Sequence, residues 1–169
     1  MEQRIFYVQE KEMNKELKYV NTQEVFQEFP DEITLAINIS KCPCHCPGCH
    51  SSYLAEDIGK PLNIVTLHKL IEDHPGISCL GFMGGDLFPE IINALAGLIR
   101  QDVPKLKIGW YSGRDFLSEK IDLRNFDYVK LGPYVEELGG LDSKKTNQVL
   151  YRVSGGKFVE NMNYKFWRE

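Results

Sequence analysis

Residues 33–40, "ITLAINIS", alternate Ile33, Leu35, Ile37 and Ile39 with smaller or polar partners, a period of two that predicts a strand with one buried face. The next stretch, "TLHKLIEDH" at 66–74, places Leu67, Leu70 and Ile71 at helical spacing, with Thr66 as the expected N-cap. A largely apolar run, "ISCLGFMGGD" at 77–86, predicts a second strand that ends in a glycine pair. In "PEIINALAGLIR", residues 89–100, Ile91, Ile92, Leu95, Leu98 and Ile99 form a broad apolar stripe, and Pro89 suits a first helical turn. A third strand follows in "KLKIGWYSG" at 105–113, then a short helical or irregular piece in "RDFLSEKI" at 114–121. "FDYVKLGPY" at 126–134 is a fourth strand. The tail from Val149 reads as a hairpin turning at Ser154, Gly155 and Gly156. Before residue 30 the pattern is weak, with a strand near "RIFYV" and a polar connection after it.

Strands that alternate with helices favour parallel βαβ units, because parallel neighbours need crossover connections. The right-handed crossover rule then brings the loops after the strand C-termini to one edge, where open α/β sheets bind ligands. Three glycine-containing loops meet there: "SKCPCHCPGCH", "MGGD" and "YSGRD".

Composition narrows the classes. With 169 residues, 43% hydrophobic and 26% charged, the chain suits one domain over residues 1–169, its core at about 30–153. A net charge of −4 offers no basic surplus for nucleic acid or an anionic membrane. No apolar run approaches the roughly 20 residues that cross a bilayer, and the N-terminus lacks a secretory pattern. A reducing, cytoplasmic location is therefore expected. Five cysteines are an odd number and four of them crowd into residues 42–49, which argues against a disulfide framework and toward metal or redox chemistry.

Within "NISKCPCHCPGCHSS", residues 38–52, four thiols can be read as a closed zinc site, although such sites usually draw two ligand pairs from separated segments. Taking three gives Cys42, Cys46 and Cys49, a CxxxCxxC pattern; Cys44, Cys46 and Cys49 is a second possible set. Three thiolates on a cubane cluster leave one iron without a protein ligand, open to a substrate or cofactor.

The CxxxCxxC spacing after a strand resembles the radical S-adenosylmethionine superfamily, and that resemblance selects Cys42 and leaves Cys44 as a bystander. The aromatic residue that superfamily members often carry before the last cysteine is here Gly48. "CPGCH" instead resembles the activating proteins of anaerobic ribonucleoside-triphosphate reductase, as does "LGPYVEELGGLDSKKTNQVLYRV" at 131–153 with its "TNQ". "MGGD" resembles the superfamily's Gly-Gly-Glu element, with Asp86 keeping the carboxylate that pairs with an ammonium. Read from the residues alone, that element is equally a tight turn.

The resemblance implies an α/β fold of the radical S-adenosylmethionine type: a partial, open βα barrel with a mostly parallel sheet and a short C-terminal hairpin. It is partial because a full barrel needs about 250 residues. It implies a 4Fe-4S cluster on Cys42, Cys46 and Cys49, and S-adenosylmethionine held near Gly48, Cys49, His50, Gly84, Gly85, Asp86, Ser112 and Lys130. For Ser112 and Lys130 the plainer readings are a turn serine and an exposed strand lysine. No catalytic side chain is expected beyond cluster and cofactor. The implied activity is reductive cleavage of S-adenosylmethionine to generate a glycyl radical on a large partner, anaerobic ribonucleoside-triphosphate reductase, with an electron donor such as flavodoxin or ferredoxin. An activase for another glycyl-radical enzyme such as pyruvate formate-lyase, a zinc module and a redox disulfide are the competing readings. His45, His68 and His74 form no constellation.

Overall fold

A computed structural model describes residues 15–168. Its strands and helices, in chain order, are β1 (Lys18–Val25), β2 (Thr34–Ile39), β3 (Lys60–Pro61), α1 (Ile64–Asp73), β4 (Cys79–Met83), α2 (Pro89–Asp102), β5 (Lys107–Tyr111), β6 (Tyr128–Leu131), β7 (Val149–Ser154) and β8 (Lys157–Asn161). All eight strands join one sheet in the order β3-β1-β2-β4-β5-β6-β7-β8.

The expected partial βα barrel is not what forms. Only β2, β4, β5 and β6 run parallel to their neighbours, while β1, β3, β7 and β8 pair antiparallel, so the sheet is mixed and carries two α-helices among the described residues. The physical reason lies in the connections. The β5–β6 crossover through "RDFLSEKI" has no apolar stripe and holds only a three-residue 3-10 turn, Leu123–Asn125. After β6 the chain continues in antiparallel strands, with no further α-helix among the described residues to extend a barrel. β1, "KYVNTQEV", lacks an apolar alternation and takes its place through its register with β2, from Tyr19 opposite Ile39 to Val25 opposite Thr34. The "RIFYV" strand expectation lies outside the described residues.

The period-two pattern decides the two faces. Leu35, Ile37, Leu80, Phe82, Ile108, Trp110 and Val129 bury against Leu67 of α1 and Ile92, Leu95, Ala96 and Ile99 of α2. Each such side chain contributes roughly 1.5–3 kcal/mol. Leu98, expected in the stripe of α2, lies on its solvent side. Among the described residues the opposite face has no α-helix; Phe29 covers it together with Tyr128, Leu141, Leu150 and Met162, and Phe166 of a short 3-10 turn packs against them. Gly81 and Gly109 face Phe29, and a Cβ on Gly109 would overlap its ring, so glycine inside two buried strands makes room for that side chain.

Thr66 is not the N-cap of α1. Asn63 is: its side chain accepts the Thr66 N–H at 3.0 Å. Asn63→Ala should cost about 1 kcal/mol. In a chain of this size that is a fall of about 2–4 °C in melting temperature, read by circular dichroism.

At the edge where β4 and β5 begin, Glu32 is buried and accepts hydrogen bonds from Lys107 Nζ, Ser78 Oγ and, at 2.8 Å, Tyr128 OH. This network ties the loop before β2 to β5 and β6, opposite the edge that carries the cysteines.

Candidate metal centre

Because β2, β4, β5 and β6 are parallel, the loops after Ile39, Met83, Tyr111 and Leu131 open on the same edge. The cysteine loop leaves β2 under tight control. Ser40 Oγ donates to the Ile58 carbonyl at 2.6 Å, Lys41 N–H to Glu56 O at 3.1 Å, and Cys42 N–H to Leu54 O at 2.9 Å. Lys41, His45 and Gly48 all adopt left-handed backbone, at φ of 58°, 45° and 75°. Two of these are not glycine, a local cost that surrounding contacts must hold in place and that concentrates at functional sites. Cys42, Cys44, Cys46 and Cys49 are half-buried free thiols.

Among the described residues, no three His, Cys, Asp or Glu side chains gather as a single metal ion requires. A four-iron cube takes each thiolate on a different iron, so its donors need not converge on one point. Three thiols on one half-buried loop are a donor set of that chemistry.

The glycine loop is clamped onto β5. Gly84 N–H donates to Tyr111 O at 3.0 Å, and the Trp110 indole N–H donates back to Gly84 O at 2.8 Å. Gly84 and Gly85 have φ of +101° and +90°, and a Cβ on Gly85 would sit 2.7 Å from Cδ1 of Ile92. Packing of this turn against α2 therefore accounts for Gly85 without a ligand.

Asp86 is fixed by the neighbouring loop: Ser112 Oγ donates to Oδ1 and Gly113 N–H to Oδ2 at 2.8 Å. Ser112 in turn donates its N–H to Lys130 O at 2.9 Å. The Ser112 hydroxyl, expected at a cofactor, is committed to Asp86. Cys44 Sγ lies 3.8 Å from Asp86 Oδ2. Burial, then the Asp86 carboxylate and Cys42, push the Cys44 thiol up to about 12, against the pull of Arg114. Cys44 is thus a thiol facing a carboxylate, a contact the sequence pattern did not reveal.

Lys130 is buried rather than an exposed strand lysine. Its Nζ donates to Gly132 O at 3.0 Å and stands 5.4 Å from the centre of the Tyr111 ring. Burial pulls its pKa below the usual lysine value, while Asp86, Cys46, Cys44 and Cys49, in that order of strength, oppose the shift.

The segment after β6 approaches the cysteine loop at two exposed positions, Gly48 and His50. The Glu136 carboxylate lies where a Cβ on Gly48 would approach it to 2.9 Å, and the Tyr134 ring is 5.9 Å from that of His50. "TNQ" holds this segment in place. Thr146 Oγ1 donates to Gly139 O at 3.0 Å, Asn147 Nδ2 to Pro133 O at 3.0 Å, and Gln148 Nε2 to Gly132 O at 3.5 Å. Tyr134 and Glu136 carried no sequence signal of their own beyond their place in the Gly-Pro-aromatic and acidic stretch. His68 pairs with Asp102 and His74 with the Leu70 carbonyl; neither belongs to this edge.

Two hollows flank the site. One, of about 650 Å³, is lined by Asp86, Trp110, Ser112 and Phe116. The other, of about 580 Å³, opens on the helix-free face beside Glu28, Tyr111, Gln148 and Trp167.

A parallel-strand edge that presents several thiols on one clamped loop defines an iron–sulfur type of site. Residues 33–151 match the family model described as a 4Fe-4S single cluster domain, over more than half of the chain. The chain belongs to that family and carries a 4Fe-4S cluster-binding domain. Comparison with curated proteins and with solved structures found no match. Among the described residues no helix is long and apolar enough to cross a membrane.

Proposed function

We propose that this chain is a radical S-adenosylmethionine activase that generates a glycyl radical on anaerobic ribonucleoside-triphosphate reductase. The observation that carries the reading is the meeting, at one sheet edge, of the CxxxCxxC loop with a fixed carboxylate, Asp86, and a buried ammonium, Lys130. That pair of charges complements the amino and carboxylate groups of an amino-acid moiety.

In this reading Cys42, Cys46 and Cys49 each hold one iron of a 4Fe-4S cluster and leave the fourth open. When bound, the cluster supplies one electron for reductive cleavage of S-adenosylmethionine. Asp86, held by Ser112 and Gly113, would accept hydrogen bonds from the amino group of that cofactor, and Lys130 would pair with its carboxylate. His50, near Tyr134, and Gly48, beside Glu136, lie exposed where the segment after β6 touches the cysteine loop. Flavodoxin or ferredoxin is the class of electron donor.

The test is anaerobic reconstitution with iron and sulfide, then incubation with S-adenosylmethionine, a low-potential reductant and the reductase. The expected result is methionine release and a glycyl-radical doublet in electron paramagnetic resonance. A cluster-loaded protein that leaves the cofactor intact overturns the activase reading. A doublet only on pyruvate formate-lyase moves the partner, and a colourless protein with stoichiometric zinc replaces the cluster.

A further inference from the structure

The last cross-strand row beneath the loops is Asn38, Met83, Tyr111, Lys130 and Leu150, each in register with the next. Residues in register share a face, and Tyr111 packs on the helix-free one. Lys130 therefore enters the site from below, on the side opposite the two helices. Its residue is 7% exposed, and among the described residues no carboxylate lies within ion-pair distance of its Nζ.

A buried ammonium without a counter-ion is costly, and one carbonyl with one ring face is a weak replacement for water. Two carboxylates act on it from beyond ion-pair distance, Asp86 and Glu28, and the sulfurs of the cysteine loop lie within reach of its field. Asp86 already accepts from Ser112 and Gly113. Those neutral donors leave the Asp86 charge in place, and a sulfur loop that carries a cluster adds further negative charge at the edge where Lys130 is buried. A cluster on three thiolates is anionic, and one-electron reduction adds a further negative charge close to this fixed positive one. Net charge is among the levers that set the potential of such clusters.

We propose that Lys130 is a charge-compensating residue that raises the reduction potential of the 4Fe-4S cluster, before and independently of any cofactor at the open iron. The role rests on the cluster alone and not on the activase reading. The experiment therefore omits S-adenosylmethionine, so failure of one leaves the other standing.

The reconstituted full chain and its Lys130→Gln, Lys130→Met and Lys130→Arg variants are titrated with dithionite, and the reduced cluster is counted by electron paramagnetic resonance. Gln can still donate to Gly132 O, so it removes charge while keeping that bond. In the neutral variants the reduced-to-oxidised ratio at a fixed potential should fall about tenfold, a shift of about 59 mV to lower potential for a one-electron couple. Lys130→Arg should stay near the wild-type value. An unchanged potential in a fully loaded neutral variant overturns the proposal. So does an equal fall in Lys130→Arg, since packing rather than charge would then be responsible. If neither neutral variant retains iron, retention by Lys130→Arg supports the charge role, and loss in all three variants overturns it.

Discussion

Replacing Cys42, Cys46 or Cys49 singly by alanine is expected to remove more than about nine-tenths of the bound iron and sulfide after reconstitution, whereas Cys44→Ala should keep both. Even partners outside the ligand set typically cost 10–100-fold in metal affinity, so loss of a thiolate itself must cost at least that much. The contrast with Cys44 follows from its place in the structure. Its sulfur faces Asp86 and packs against Gly113, where a Cβ would lie 2.8 Å away, and burial beside a carboxylate favours the protonated thiol. Iron and sulfide analysis with visible absorbance reads the result. Full loading in any one of the three alanine variants, or an empty Cys44→Ala protein, would reassign the ligands.

Glu32→Ala is expected to lower stability by about 2–3 kcal/mol, enough to depress the melting temperature by about 5–10 °C at neutral pH. The side chain is only 4% exposed and three donors end on it. Truncation leaves Ser78 Oγ and Tyr128 OH without their acceptor. Lys107, half in water, loses less, so the ion pair contributes a small part. Burial raises the Glu32 pKa, but the bonds from Lys107, Ser78 and Tyr128 outweigh it and hold the carboxyl below its usual value. A depressed carboxylate stabilises the fold above its unfolded pKa of about 4.3 and loses that contribution as pH falls through the folded value. The gap between wild type and Glu32→Ala should therefore be full near neutrality and narrow below about pH 4. Lys107 moves the other way: Glu32 raises its pKa, so its share fades only as pH climbs past about 10.4. Melting curves across this range check the signs, and a gap independent of pH would remove the charge from the account.

The elements with the strongest periodicity were legible. β2, β4, β5 and β6 fall within the stretches read from alternation, α2 starts at Pro89 as read and runs two residues past Arg100, and the hairpin of β7 and β8 turns at the glycine pair of 155 and 156. The convergence of three loops followed from parallel pairing, which alternation of strands and helices does encode. What was not legible depends on non-local pairing. β1 is polar and is a strand because β2 offers it hydrogen bonds, and the barrel expectation failed where the chain stopped supplying helices after α2. Thr66 looked like a cap because Asn63 lies outside the apolar repeat. In the site, the spacing of Cys42, Cys46 and Cys49 was visible, but the bond from Ser112 to Asp86, the thiol of Cys44 beside it and the burial of Lys130 arise from register across β4, β5 and β6. A carboxylate in a turn and a lysine on a strand look alike in sequence whether they face water or a neighbouring loop.

Ser112 reaches Asp86 with its hydroxyl and the Lys130 carbonyl with its backbone amide, and so joins three neighbouring segments through one residue. The consequence is mechanical. The glycine loop, the end of β5 and the end of β6 cannot shift one at a time without breaking a bond of the same serine, so this edge moves as a unit. The ordering of Asp86 then belongs to the folding of the sheet, and a guest at this edge meets a carboxylate already at rest.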